Sequence, residues 1–323
     1  LISSTMLGIG PFVLQFAFLK YLDLIGIVLF VGLPAFKLLV FQPTLKAISD
    51  LETRETLKAE EAKYARRILP LVVFYLVLVQ GVILVHQIEK MTGQSIAQAM
   101  PILSHWLTGT FSGLLWMNKV FILILIGIVS RIENERKDFS LLVLGLLLCL
   151  SASLSGHAVT EKIYAVVMTD WLHLTAVAIW VGALLPLRRM VRRYAHCVKA
   201  EEQAFFLRKL VENFSIWAIF AVAIIIVTGS FNALIYLGSE IFVFEAQYAK
   251  IFALKLCFVL IVLAFGGLAR FYILPRLQKK EPIERASFMR LQRIFLGVLT
   301  FELLFVTGVL ILAALLTQIA VPE

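Results

Sequence analysis

The chain has 323 residues, 61% of them hydrophobic, with a mean hydropathy of +0.93 and a net charge of +9. A water-soluble domain cannot hide that much apolar surface, so the bilayer is its solvent. The positive charge is scattered through loops, which argues against a nucleic-acid-binding face.

Apolar runs of about 20 residues, the length that crosses a bilayer, predict an all-α polytopic membrane protein of eight transmembrane helices. These lie at 12–42, 66–89, 112–131, 139–157, 168–190, 211–237, 248–273 and 291–319. The first run is too long for a signal-peptide core and is read as a span. Thr44 to Arg67 is dense in charge and free of Pro and Gly, as in a water-facing helix or helical extension. Span two ends near His86, and a long loop at 88–111 follows with Met91, Met100 and His105. Metal capture and an ordinary solvated loop both account for it. Lys119 in span three and Lys255 in span seven sit a turn or two below the outer surface. Snorkelling to the interface is the simpler expectation, and pairing with an anionic group is the alternative.

Span four closes on Ser155-Gly156-His157-Ala158, and span five opens on Asp170-Trp171-Leu172-His173-Leu174, with Met168 just ahead. In span six, Thr228 and Asn232 either line a cavity or hydrogen-bond helices together. Glu281-Pro282 marks a turn before span eight, where Glu302 lies deep. An acidic residue at the bilayer centre costs ~2.5–3.5 kcal/mol on insertion scales, so Glu302 is expected to be protonated, paired or on a pathway. Trp106, Trp116 and Trp171 read as an interfacial belt and Trp180 as core. Cys149, Cys197 and Cys257 form neither a disulfide framework nor a CxxC motif. No P-loop, GxGxxG, HExxH or nucleophile triad is present, which leaves hydrolase and nucleotide-driven pump chemistry without residues.

All but six of the 30 Lys and Arg residues fall in or beside the loops after spans one, three, five and seven; the six are Lys20, Lys90, Lys119, Lys162, Lys250 and Lys255. The positive-inside rule puts those loops in the cytoplasm and both termini outside. His86, His105, His157 and His173 then fall on the outer half and only His196 inside. Met6, Met91, Met100, Met117 and Met168 are outer as well, whereas Met190 and Met289 are inner.

The two halves resemble each other. Tyr21-Leu22-Asp23-Leu24 with Phe30-Val31-Gly32 matches Trp171-Leu172-His173-Leu174 with Trp180-Val181-Gly182 at a constant spacing of 150 residues. Gln80-Gly81 aligns with Thr228-Gly229, and Lys119 with Lys255. A repeat of four spans keeps its orientation, so the halves, 1–157 and 158–323, are expected to be related by a pseudo-twofold axis along the membrane normal. Asp23 and His173 then stand at equivalent depths.

Two readings fit the outer mouth. In one, His157 and His173 hold a transition metal, with Met168 as a soft ligand, Asp170 binding or orienting an imidazole, and His86 on the same side. In the other, the histidines bond loop carbonyls and Asp170 caps span five. Asp23, Thr228, Asn232, Lys255 and Glu302 are the polar residues of a pathway or of the framework.

The motifs around His157 and His173, with Ile179-Trp180-Val181-Gly182-Ala183-Leu184 and Thr228-Gly229-Ser230-Phe231-Asn232-Ala233, resemble the copper resistance protein D family. Tyr248-Ala249-Lys250 through Lys255-Leu256 is similar to its seventh span, with Ala249 where the pattern has Gly. Glu302-Leu303-Leu304 and Val321-Pro322 resemble its closing span. The match is strongest from about residue 110 onward.

The resemblance implies a copper-handling protein of the bacterial inner membrane, a transporter rather than an enzyme. Copper, as Cu+ or Cu2+, would enter from the periplasm, delivered by a separate CopC-type periplasmic protein. A membrane b-type haem oxidoreductase is the competing reading, with Lys119 and Lys255 beside the propionates. Against it, no two histidines sit deep on facing spans. A copper-binding scaffold or sensor is a third, and a homo-oligomer is compatible with all three.

Overall fold

The computed structural model describes residues 10–93, 96–155, 164–193, 198–199, 202–237, 247–278 and 284–319. His157, His196, Cys197, Met6, Glu281-Pro282 and Val321-Pro322 lie outside the described residues, as do the side chains of Met91 and Met100. No strand occurs among the described residues.

Helix α1 (Pro11–Phe36) opens with a proline at its first position, where the missing N–H is no loss. It continues through a π turn, Lys37–Phe41, into Gln42–Lys46. The wide turn comes just before Pro43, which offers no N–H to an ordinary α ladder. The chain then breaks at 47–50, and Asp50 caps α2 (Leu51–Thr92), accepting from the Thr53 amide at 3.0 Å and the Thr53 hydroxyl at 2.5 Å. Those bonds hold the Asp50 carboxyl below the usual carboxylate range. The charged stretch and span two are therefore one helix of 42 residues, closed by Gly93 at φ +64°.

The 88–111 connection is not an extended loop. Residues Ile96–Gly109 form a helix, α3, which packs on α4 (Phe111–Val129). The two chains meet so closely that a Cβ on Gly113 would lie 2.2 Å from the Trp106 carbonyl oxygen. Trp106 is consequently buried, at 4% exposure, rather than standing in an interfacial belt.

The remaining helices are α5 (Lys137–Ser153), α6 (Tyr164–Arg193), α7 (Gln203–Leu237), α8 (Gln247–Leu268) and α9 (Arg285–Leu316). α8 runs on through a second π turn, Ala269–Ile273, to Leu277. Seven of the described helices are long and apolar enough to cross a membrane. The expected fourth span, α5, has 17 residues, about 25 Å at 1.5 Å per residue.

At the centre α1 crosses α6. A Cβ on Gly32 would lie 2.0 Å from the Gly182 carbonyl carbon, and one on Gly182 would lie 2.1 Å from the Val28 oxygen. Only glycine lets two helix backbones come that close. One apolar cluster around Phe30, Leu76, Ile126 and Leu148 fills the bundle toward the end that carries Asp23 and His173. Another, around Phe41, Leu187, Leu210 and Phe295, fills it toward the basic end. There Lys37 bridges Asp138 at 2.9 Å and Glu61 at 3.4 Å, and Arg189 lies 4.0 Å over the Tyr64 ring.

Candidate functional site

Asp170 and His173 are three apart on α6, and Thr228 and Asn232 four apart on α7, so each pair shares one face of its helix. The helices pack with these faces together, giving two rungs. In the first, the Asn232 amide donates to Asp170 Oδ1 at 2.5 Å, and the Thr169 hydroxyl lies 2.6 Å from Asn232 Oδ1. In the second, His173 Nδ1 lies 3.0 Å from Thr228 Oγ1.

The second rung selects a tautomer. Thr228 has one hydroxyl proton, and its shorter bond runs to the Ile224 carbonyl at 2.6 Å. Thr228 therefore accepts from His173, which places the proton on Nδ1 and the lone pair on Nε2, and the Ile225 carbonyl also lies within hydrogen-bonding reach of the ring. Gly229 makes room for the ring, since a Cβ there would be 3.1 Å from Cε1 and 3.5 Å from Nδ1. An imidazole whose Nδ1–H is held by a side chain is the arrangement of a metal-ligating histidine with its outer-shell partner.

A second polar group is bound across α1, α2 and α4. Lys119 Nζ donates to Asp23 Oδ2 at 2.8 Å, and Gln80 Nε2 donates to Asp23 Oδ1 at 2.7 Å. Lys119 and Asp23 are both buried, with side chains 8% and 2% exposed. Lys119 thus does not snorkel; its anionic partner lies beside it inside the bundle. The two groups adjoin. Lys20 stands within electrostatic range of Asp23, Lys119 and Asp170, and Lys255 and Tyr248 within range of Asp170. Lys20, Thr169 and Tyr248 were not among the residues expected from sequence. Lys20 lies three before Asp23 and Thr169 beside Asp170, but single-residue types at such spacings are too common to stand out.

The other expected ligands are placed elsewhere. Met168 is 47% exposed, and two residues from Asp170 it projects from a different side of α6. His86 packs its ring against Phe12 and Phe16, with centroids 5.9 and 4.5 Å away, and its Nδ1 is 3.9 Å from Glu89. Among the described residues no three His, Cys, Asp or Glu side chains converge as a metal cluster. His157, the expected second imidazole, lies outside the described residues. Trp116 and Trp171 donate their indole N–H groups to Gln80 and Leu146 carbonyls, at 3.0 and 2.9 Å, and so tie helices together. Glu302 is buried in α9, at 2% exposure.

Long apolar helices around a buried layer of lysines, carboxylates, amides and one oriented imidazole define a polytopic membrane protein with an intramembrane polar site. Residues 12–163 match the family described as copper resistance protein D-like, N-terminal domain, and residues 208–316 that described as copper resistance protein D. The chain belongs to the copper resistance protein D family. It is also similar to a protein named copper transport protein CutJ from Bacillus subtilis (strain 168), 26% identical over 185 residues. That match covers 54% of this chain and 33% of the relative, so the chain spans about a third of its relative's length. No solved structure matches the chain.

Proposed function

We infer that this protein carries copper, as its substrate, inward across the bacterial cytoplasmic membrane, taking the ion at the end of the bundle where His173 lies. The observation that supports this most directly is the His173–Thr228 bond, which places the ring's lone pair on Nε2, the atom that would ligate. His157 completes the donor set in this reading, and Asp170 supplies charge and positions the α7 rung. Met168 and His86 belong to capture of the ion ahead of the site. Imidazole and thioether donors suit copper better than they suit hard cations. A separate CopC-type periplasmic protein is the proposed donor.

In this reading α5 is the eighth crossing, both termini are extracytoplasmic and the basic end faces the cytoplasm. The halves 1–157 and 158–323 are a four-plus-four repeat. The contact of Gly32 with Gly182 supports it, because residues 150 apart in the aligned motifs meet each other, as equivalents do across a twofold axis. The bonding supports it as well. Asp23 of the first half bonds Gln80, just as His173 of the second bonds Thr228.

The test is copper content and proteoliposome uptake of purified His157→Ala, His173→Ala and Thr228→Val. Each histidine variant is expected to lose stoichiometric copper while remaining folded. Thr228→Val, which removes only the ring's support, is expected to weaken binding about 10–100-fold. Unchanged copper in both histidine variants removes the site, and a Soret band in the purified protein replaces copper by haem.

A further inference from the structure

Glu302 stands near the middle of α9 (Arg285–Leu316), inside the bundle and 2% exposed. Its carboxylate faces the backbone of α8, where a Cβ on Gly266 would come 3.2 Å from Oε1. Beside that contact the Phe265 ring stacks on Phe301 and Phe305, with centroids 5.5 and 6.1 Å away. Gly266 is eleven residues beyond Lys255 along α8, so Glu302 lies about 16 Å further along the bundle than Lys255.

No hydrogen bond or ion pair reaches Glu302 among the described residues. Charged and titratable groups of the helices around it are engaged elsewhere or exposed. On α1, Asp23 is bound to Lys119, and Lys37 to Asp138 and Glu61. On α6, His173 is bound to Thr228, and Arg188 donates to Thr300 Oγ1 at 2.9 Å. On α8, Lys255 lies near Asp170, Cys257 is exposed and Arg270 donates to Ser215 at 3.0 Å. Tyr272 stacks under Arg276, and Arg293 of α9 itself turns back to the Met289 carbonyl.

A carboxylate without a counter-ion in such a place is stable only as the neutral acid, until a cation comes near. We propose that Glu302 is a proton-exchange site that couples the passage of copper through the bundle to movement of a proton the other way. This rests on the copper-transport reading above. As the cation reaches mid-bundle, the carboxyl O–H bond breaks, the electron pair stays on the carboxylate and the proton leaves toward the outer side. When the cation moves on inward, the carboxylate takes up a proton from the inner side, so one proton has moved outward for each ion. Exchange of a monovalent cation for one proton leaves the charge across the membrane unchanged, so no nucleotide is needed as long as a proton or copper gradient exists.

The experiment uses the full chain in proteoliposomes with copper(I) outside and a pH-sensitive dye inside. Copper-induced infrared difference spectra of the same protein are recorded in parallel. Wild type is expected to take up copper with a matching luminal proton loss. Its spectrum should lose a protonated-carboxyl carbonyl band when copper is added. Glu302→Gln is expected to abolish the proton movement and that band while keeping wild-type copper binding at the entry site and wild-type thermal unfolding. Glu302→Asp, which keeps the titratable group, restores both and serves if the glutamine variant does not fold. Copper uptake without proton movement in wild type, or an unchanged band in Glu302→Gln, overturns this proposal alone. A wild type that takes up no copper overturns it together with the transport reading.

Discussion

Lys119 illustrates how a side chain's surroundings decide its role. A lysine a turn below the membrane surface ordinarily extends to water. Here the ammonium is held 2.8 Å from the Asp23 carboxylate inside the bundle, and Gln80 bonds the same carboxylate. Removing one member of such a pair strands the other as a buried charge, at a cost of about 3–5 kcal/mol, whereas removing both costs far less. Lys119→Met is therefore expected to lower stability in denaturant titration of the detergent-solubilised protein by that amount. The double variant Asp23→Asn with Lys119→Met is expected to recover most of it. Additive losses would mean that the pair is not coupled. Asp23, Asp170, His173, Thr228, Asn232 and Glu302 could all be picked from the sequence, because polar residues stand out in apolar spans. Their partners could not be picked, since Asp23 and Lys119 are 96 residues apart and His173 and Thr228 are 55.

Among the elements, the long helices were legible and the exceptions have local causes. The 88–111 segment is short and broken by polar residues, so its hydropathy falls below that of a span. It still coils into α3, because packing on α4 at Gly113 compensates for weak length and composition. The central crossing of α1 and α6 depends on Gly32 and Gly182. Gly32→Ala forces a methyl group into the facing backbone and is expected to cost about 1–3 kcal/mol, with slower assembly. Gly297→Ala in α9, where nothing lies within 4 Å, is the control. It is expected to be neutral or to stabilise by up to about 1 kcal/mol, as alanine does in a helix interior. Equal losses at both positions would show that helix propensity, rather than the close crossing, governs the effect.

At the scale of the molecule, one end is basic and the other holds the intramembrane polar layer. If the basic end lies in the cytoplasm, a cysteine placed at Glu133 in a background without other cysteines should react with an impermeant thiol reagent only after the cells are opened. A cysteine in place of exposed Ser155, on the opposite end, should react in intact spheroplasts. Reversed labelling would invert the bundle and, with it, the direction proposed for copper.

The sequence by itself determined that the chain lives in a bilayer, where its long helices run, which end is basic and which polar residues need explaining. Hydropathy and charge accumulate residue by residue along a segment, and no knowledge of neighbours is required to read them. Only the tertiary structure decided that Lys119 is paired rather than solvated, that Thr228 sets the tautomer of His173, that Met168 stands apart and that no hydrogen bond or ion pair among the described residues reaches Glu302. Those outcomes depend on which helix faces press together, and the close glycine crossing of α1 and α6 fixes that at the centre of the bundle.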